Sequence, residues 1–387
     1  MAFAFTVVFA RAFVFSAEKL AKSGVCGYNV NTFSVKKVGK MQVDLDFSIL
    51  KTLTELPGIS GREDAVRHYL TALLTPYADE LRTDALGNLI VFKKGTHDKN
   101  LLLCAHIDEV GLMIHAVDER GFLRFVAVGG IDPRTLLAQR VRVQTKSGEL
   151  LGVIGTKPAH ITTEAERGKA VGLQELFIDL GLPAEEVKKR VSPGDWAVLD
   201  RNYAEFGDGK ISAKALDNRS GVFVLAELVR ALKNPFYNVY AVFTVQEEVG
   251  LRGAATAAFG VNADVSLCLD TTGAADIPGC APQEYICTLG GGVGLTALDA
   301  RTITPGWLFE ALKQICEADK IPYQVRIAPR GGNDAGAVCT SKTGVPVCGL
   351  SIPTRNIHSN VEIVAKKDIS SVFTLALAAA QRGLGTP

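Results

Sequence analysis

Apolar runs at 101–104, 239–245 and 265–269 each stop at imidazole or carboxylate side chains, and helical periodicity separates one run from the next. A short strand without polar alternation is buried on both faces, which is the condition of a central strand in a helix-covered, largely parallel sheet. Such sheets gather polar groups at the carboxyl ends of their strands, where ligands bind.

The rest of the chain fits that frame. Helices are expected at 47–56 and 61–74, broken by Pro57-Gly58, then at 219–232, around Ala254, at 308–318 and at 369–380, with a further strand at 89–92. Between 112 and 200 the period changes. Alternating stretches at 112–117 and 123–128 flank Asp118-Glu119-Arg120-Gly121, a hairpin signal. The expected fold is therefore α/β, with segments 41–111 and 201–387 forming one domain and 112–200 a smaller β-rich, barrel-like insert. No repeat, low-complexity run or heptad pattern argues for a solenoid or coiled coil.

The first fifteen residues are apolar apart from Arg11, but no basic segment precedes them and the run is too short to span a bilayer. Residues 1–40 are read first as a disordered or upstream-translated extension, with a targeting segment as the alternative, and Met41 opening the folded part.

Lys and Arg number 42 against 41 Asp and Glu, so no net charge holds nucleic acid or an anionic membrane, and partners must be sought at a local site. Eight cysteines, Cys26, Cys104, Cys268, Cys280, Cys287, Cys316, Cys339 and Cys348, form no CxxC pair and read as reduced, buried thiols of a cytoplasmic protein.

The chemistry sits at the strand ends. His106 and Asp108 follow the 101–104 run two positions apart, on one face, so an imidazole can bind a metal while the carboxylate orients it. Asp217, in Leu216-Asp217-Asn218-Arg219, precedes a helix. Glu247 and Glu248 follow the 239–245 run side by side, where they repel unless something positive is present. Asp270 ends the 265–269 run, and His358 lies in Pro353-Thr354-Arg355-Asn356-Ile357-His358-Ser359. Singly, these have structural readings: a hydrogen-bonded histidine, a helix N-cap, a solvated acidic loop. Together, two His, two Asp and two Glu make the hard and borderline donor set that suits Zn, Co or Mn. Two glycine-rich loops, at 289–294 and 330–336, lack the Lys-Ser/Thr of a phosphate-binding loop.

AHxDE, LDNR, QEEVG, the DTT after a strand and PTRxIHS occur here in the order seen in the M42 metallo-aminopeptidases, and the chain resembles that family from about Met41 to its last helix, insert included. The resemblance implies a mixed-sheet two-metal exopeptidase domain. It implies that His106 and Asp270 bind one divalent ion, Zn or Co, that Glu248 and His358 bind the other, and that Asp217 bridges them. Glu247 matches the general base acting on a water bridged by the two metals, and Asp108 the carboxylate that orients His106. Arg330, Asn333 and Asp334 match the substrate pocket, and a cis bond is expected at Asp217-Asn218. The insert is expected to mediate subunit contacts in dimers that assemble into a tetrahedral dodecamer, and the substrates to be peptides. His160 is a weaker candidate, more consistent with a structural hydrogen bond. A deacylase or carboxypeptidase shares the same ligand logic. A silent peptide-binding scaffold would not need the full set, and a glycosidase needs two opposed carboxylates and no metal-binding histidines.

Overall fold

Strand β3 (Asn100–His106) is buried along all but its first residue, and β13 (Val265–Gly273) and β16 (Val347–Thr354) are buried as deeply, as their unalternating apolar sequences require. The computed structural model describes residues 45–164 and 168–385; the extension at 1–40, Met41 and Cys26 lie outside the described residues. With β1 (Glu80–Thr83), β2 (Leu89–Lys93), β12 (Asn238–Thr244), β14 (Val293–Asp299) and β15 (Tyr323–Ala328), these strands form an eight-stranded mixed sheet in the order β1-β2-β12-β3-β13-β16-β14-β15. The central neighbours β12, β3, β13 and β16 run parallel, so their carboxyl ends lie side by side.

Helices cover both faces. On one, α1 (Phe47–Glu55), α2 (Asp64–Leu74), α3 (Leu216–Ala231), α5 (Gly306–Asp319) and α7 (Lys366–Arg382) pack their apolar sides against Leu101, Leu103, Val239 and Leu267. On the other, α4 (Arg252–Val261) and the short α6 (Ala335–Cys339) cover Leu102, Cys104, Val242 and Cys268. Helix α1 shows the local logic. Asp46 accepts the Ser48 N–H at its start, Ile49, Leu50 and Leu53 form its buried stripe, and Pro57 follows its end. Each buried leucine contributes about 1.5–3 kcal/mol through removal from water. Regular helix in α3 begins only after Asp217 and Asn218, whose backbone is not helical, and the bond between them is cis, as expected.

Strands β4 (Gly111–Val117), β5 (Leu123–Val128), β6 (Arg140–Thr145), β7 (Gly148–Gly155), β8 (Phe177–Asp179) and β9 (Trp196–Leu199) close into a barrel in the order β4-β5-β8-β7-β6-β9. Its core is separate, built by alternate residues such as Ile114, Phe125, Val141, Val143 and Ile178. The hairpin at 118–121 is present between β4 and β5. A small sheet of β10 (Ala204–Phe206), β11 (Lys210–Ala213) and β17 (Glu362–Ala365) completes the molecule.

The loop at 289–294 has an internal occupant. The N–H groups of Gly290 and Gly292 donate to the Asp368 carboxylate at 2.6 and 2.8 Å, so its glycines cradle a side chain of this chain. The seven described cysteines are unpaired; Cys280 and Cys339 are only partly buried, the others fully. Among the described residues no helix is long and apolar enough to cross a membrane.

Candidate active site

Because β12, β3 and β13 are parallel and in register, with Thr244 opposite His106 and Cys268 opposite Cys104, the residues that follow these runs arrive at one edge of the sheet. His106 ends β3, Asp270 lies in β13, Glu247 and Glu248 follow β12, Asp217 heads α3, and His358 follows β16. The sheet thus brings together all six side chains of the expected ligand and base set.

The geometry centres on Asp217. Its Oδ1 lies 3.3 Å from His106 Nε2 and its Oδ2 lies 3.3 Å from His358 Nε2. His106 Nε2 is also 3.5 Å from Asp270 Oδ1 and 4.0 Å from Glu247 Oε2, while His358 Nε2 is 3.1 Å from Glu248 Oε1. In the triads His106-Asp217-Asp270, Asp217-Glu248-His358 and His106-Glu247-Glu248, the donor atoms lie within 4.8 Å of one another.

Four buried carboxylates therefore face two imidazoles, and among the described residues no Lys or Arg forms an ion pair with any of them. Carboxylates so placed need a cation between them. Imidazole and carboxylate donors in open triads fit divalent ions of the zinc and cobalt kind.

The titration behaviour follows from burial and crowding. Burial raises Glu247 well above its ordinary value, opposed in part by His106 and reinforced by Asp270 and Asp334. Burial also raises Glu248 and Asp270. It opposes the charging of His358, yet Asp217 and Glu248 outweigh it and push the imidazole up to about 12. Asp217 is held below its ordinary value because hydrogen bonds to both imidazoles outweigh its desolvation.

Asp108 has more contacts than the ring-orienting role expected of it needs. Its carboxylate is 3.5 Å from His106 Nδ1, but its own carbonyl is nearer at 3.2 Å. The carboxylate takes the Ser60 hydroxyl at 2.6 Å and the N–H groups of Glu247 and Glu248 at 3.1 and 3.2 Å, so it fixes the loop that carries both glutamates. Glu63 supports the same loop, accepting the N–H groups of Gly61 and Gln246. Gly61 has a left-handed φ of 80°, so α2 starts at Asp64 and not at 61.

A cleft of about 240 Å³ opens over these residues, lined further by Thr271, Thr272, Ile286, Arg326, Arg330 and Asn333. Asp334 does not line it. It is buried behind the site, accepting the Thr244 hydroxyl at 2.6 Å, and burial raises it to about 7. Asn333 accepts the Ala335 N–H, and its Nδ2 has no partner among the described residues. His160 is exposed and is not a lining residue, nor is any residue of the 289–294 loop.

Three supports were absent from the sequence reading. Gly130, just past β5, offers its carbonyl to His358 Nδ1 at 2.6 Å and so orients the imidazole. Glu109 binds Lys214 and Arg219, which flank Asp217. Glu362 accepts the N–H groups of Asp217 and His358, and burial, with the charge of Asp217, raises it well above its ordinary value. The available signal was a lone glutamate in the apolar run Val361-Glu362-Ile363-Val364.

The model of the M42 glutamyl aminopeptidase family matches residues 87–375. A putative aminopeptidase of Acetivibrio thermocellus is 38% identical over 334 residues, covering 86% of this chain and 98% of its own. Among solved structures, an aminopeptidase of the archaeon Desulfurococcus kamchatkensis is 40% identical with a TM-score of 0.84, covering 87% of this chain and 94% of its own. The TET1 peptidase of Pyrococcus horikoshii, described as assembling into a tetrahedron or a large octahedral shell, is 34% identical with a TM-score of 0.78, covering 86% and 98%.

Proposed function

This chain belongs to the M42 glutamyl aminopeptidase family and is a hydrolase acting on peptide bonds, and from that premise we propose that it removes N-terminal residues from peptides with the help of two divalent cations. The observation that carries the proposal is the Asp217 carboxylate, whose two oxygens face two different imidazoles at equal distance. His106 and Asp270 would hold one ion and Glu248 and His358 the other, with Asp217 shared.

Such cations, zinc or cobalt by the donor set, supply Lewis-acid polarisation of the scissile carbonyl and lower the pKa of water. Glu247 takes the proton of the attacking water and returns it to the departing amine. Asp108 keeps Glu247 in place through its backbone N–H. The exposed Arg330 has no ion-pair or hydrogen-bond partner among the described residues and gives the cleft a free positive charge beside Asn333. Arg326 is tied to Thr272, Thr296 and Asp299. The cleft therefore favours an acidic N-terminal side chain. By likeness to the shell-forming TET1 peptidase, copies of this chain assemble into a homo-oligomer, with the barrel supplying subunit contacts.

The test is a panel of glutamyl, aspartyl, leucyl and lysyl chromogenic amides, together with N-acetylglutamyl amide. The free-amine acidic substrates are expected to be cleaved fastest and the acetylated one not at all. Arg330→Glu is expected to lower kcat/KM for the glutamyl amide roughly tenfold relative to the lysyl amide, because the reversal exchanges an attraction of up to about 1 kcal/mol for a repulsion of similar size. Cleavage of the acetylated substrate at a comparable rate would favour a deacylase instead.

A further inference from the structure

Glu362 is 2% exposed, sits in β17 opposite Ala213 of β11, and makes no ion pair with a Lys or Arg among the described residues. A buried carboxylate needs hydrogen bonds to offset its desolvation. It finds them in two backbone N–H groups: Asp217 N donates to Oε2 at 2.8 Å and His358 N donates to Oε1 at 2.7 Å.

Both donors belong to backbone outside regular secondary structure. Asp217 has φ −82° and ψ 105° at the head of α3, and His358 has a left-handed φ of 60°. Neither N–H can be satisfied by a ladder, so the carboxylate stands in for one. Because the same rigid group receives both, it fixes the main chain of Asp217 relative to that of His358. The consequence is visible at the other end of the two residues, where Asp217 Oδ2 and His358 Nε2 come to 3.3 Å and Glu248 Oε1 joins at 3.1 Å.

The other half of the site is supported differently. His106 and Asp270 stand on adjacent parallel strands, each two residues beyond the last paired positions, Cys104 and Cys268, so the sheet itself brings them together. His358 stands on a loop, with Gly130 holding its ring and Glu362 its backbone.

We propose that Glu362 is a positioning residue that sets the spacing of Asp217 and His358 and thereby the affinity of the cation position they share with Glu248. It touches no reacting atom. This inference rests on the two-cation reading above.

The test is calorimetric titration of Zn²⁺ into the metal-free full chain. Wild type is expected to take two ions per chain. Glu362→Gln has one amide oxygen where two acceptors are needed and turns an NH₂ toward the second N–H. It is expected to keep one ion at wild-type affinity and to bind the other about 10–100-fold more weakly, the usual cost of losing a group that supports a ligand. Glu362→Asp, which retains both acceptor oxygens, is expected to recover part of that loss. A Glu362→Gln chain that binds both ions as wild type does overturns the proposal and leaves the two-cation reading standing. A wild type that binds no ion sinks that reading instead. Amide hydrogen exchange on metal-free wild type decides the matter independently of whether the variants fold: the Asp217 and His358 amides are expected to exchange slowly, and fast exchange at both overturns the role of Glu362.

Discussion

Glu247→Gln is expected to lower kcat by about 10²–10⁴-fold, the range typical of a lost general base, while leaving cation binding and fold intact. The amide has nearly the shape of the carboxylate and cannot take a proton from water. The Glu247 N–H still reaches Asp108, so the loop stays in place. Glu247 belongs to neither of the triads His106-Asp217-Asp270 and Asp217-Glu248-His358, which carry the proposed ligand set, and enters only the third group, with His106 and Glu248. Steady-state kinetics on the best amide, paired with calorimetric ion binding, checks both halves. A kcat within about threefold of wild type would remove Glu247 from the mechanism, whereas loss of ion binding would make it a ligand.

The second large effect concerns stability. Glu109 accepts both Lys214 Nζ contacts at 2.7 and 2.8 Å and lies 3.5 Å from Arg219 Nη2, and it also takes the Gly58 N–H. Arg219 in turn donates to the carbonyls of Leu53 and Leu56. Lys214 is 2% exposed and Arg219 fully buried, so Glu109→Ala strands two cations away from water. Removing one partner from such a cluster costs about 3–5 kcal/mol. Burial already holds Lys214 below its ordinary pKa, so the lysine can shed its proton and relieve part of the penalty at higher pH. Urea unfolding should show a lowered midpoint for Glu109→Ala, and Glu109→Ala/Lys214→Met should recover part of it. An unchanged midpoint in the single variant would mean that water or rearrangement compensates the cations. Since Lys214 and Arg219 flank Asp217, the damage is expected to fall first on ion binding.

Much of the site was legible because four of its side chains follow strongly apolar runs, and a parallel sheet carries the ends of such runs to one edge. His106, Glu247, Glu248 and Asp270 follow directly from that rule. Asp217 and His358 do not, since one heads a helix and the other lies in a loop; they needed the motif resemblance. The supports were hidden for a different reason. Gly130 acts through a carbonyl, which no side-chain pattern announces, Glu362 acts on backbone N–H groups, one of them as far away in sequence as Asp217, and Glu109 acts on the distant Lys214. Asp334 shows the opposite failure. Its place in a glycine-rich loop suggested the cleft, but the start of α6 turns it under the sheet edge to Thr244. Strand β16 drew attention only for the loop after it. Its close approach to β14 depends on Gly349, where a Cβ would stand 2.7 Å from Thr296 Oγ1.

Peptide hydrolysis is expected to require two cations at the His106–Asp217–His358 centre. Elemental analysis of the purified chain, with amidase activity followed through chelation and addition of Zn²⁺ or Co²⁺, tests it most directly. Close to two ions per chain, loss of activity as they are removed and recovery as they return are expected. Undiminished hydrolysis by a chain shown to carry no ion would contradict the requirement.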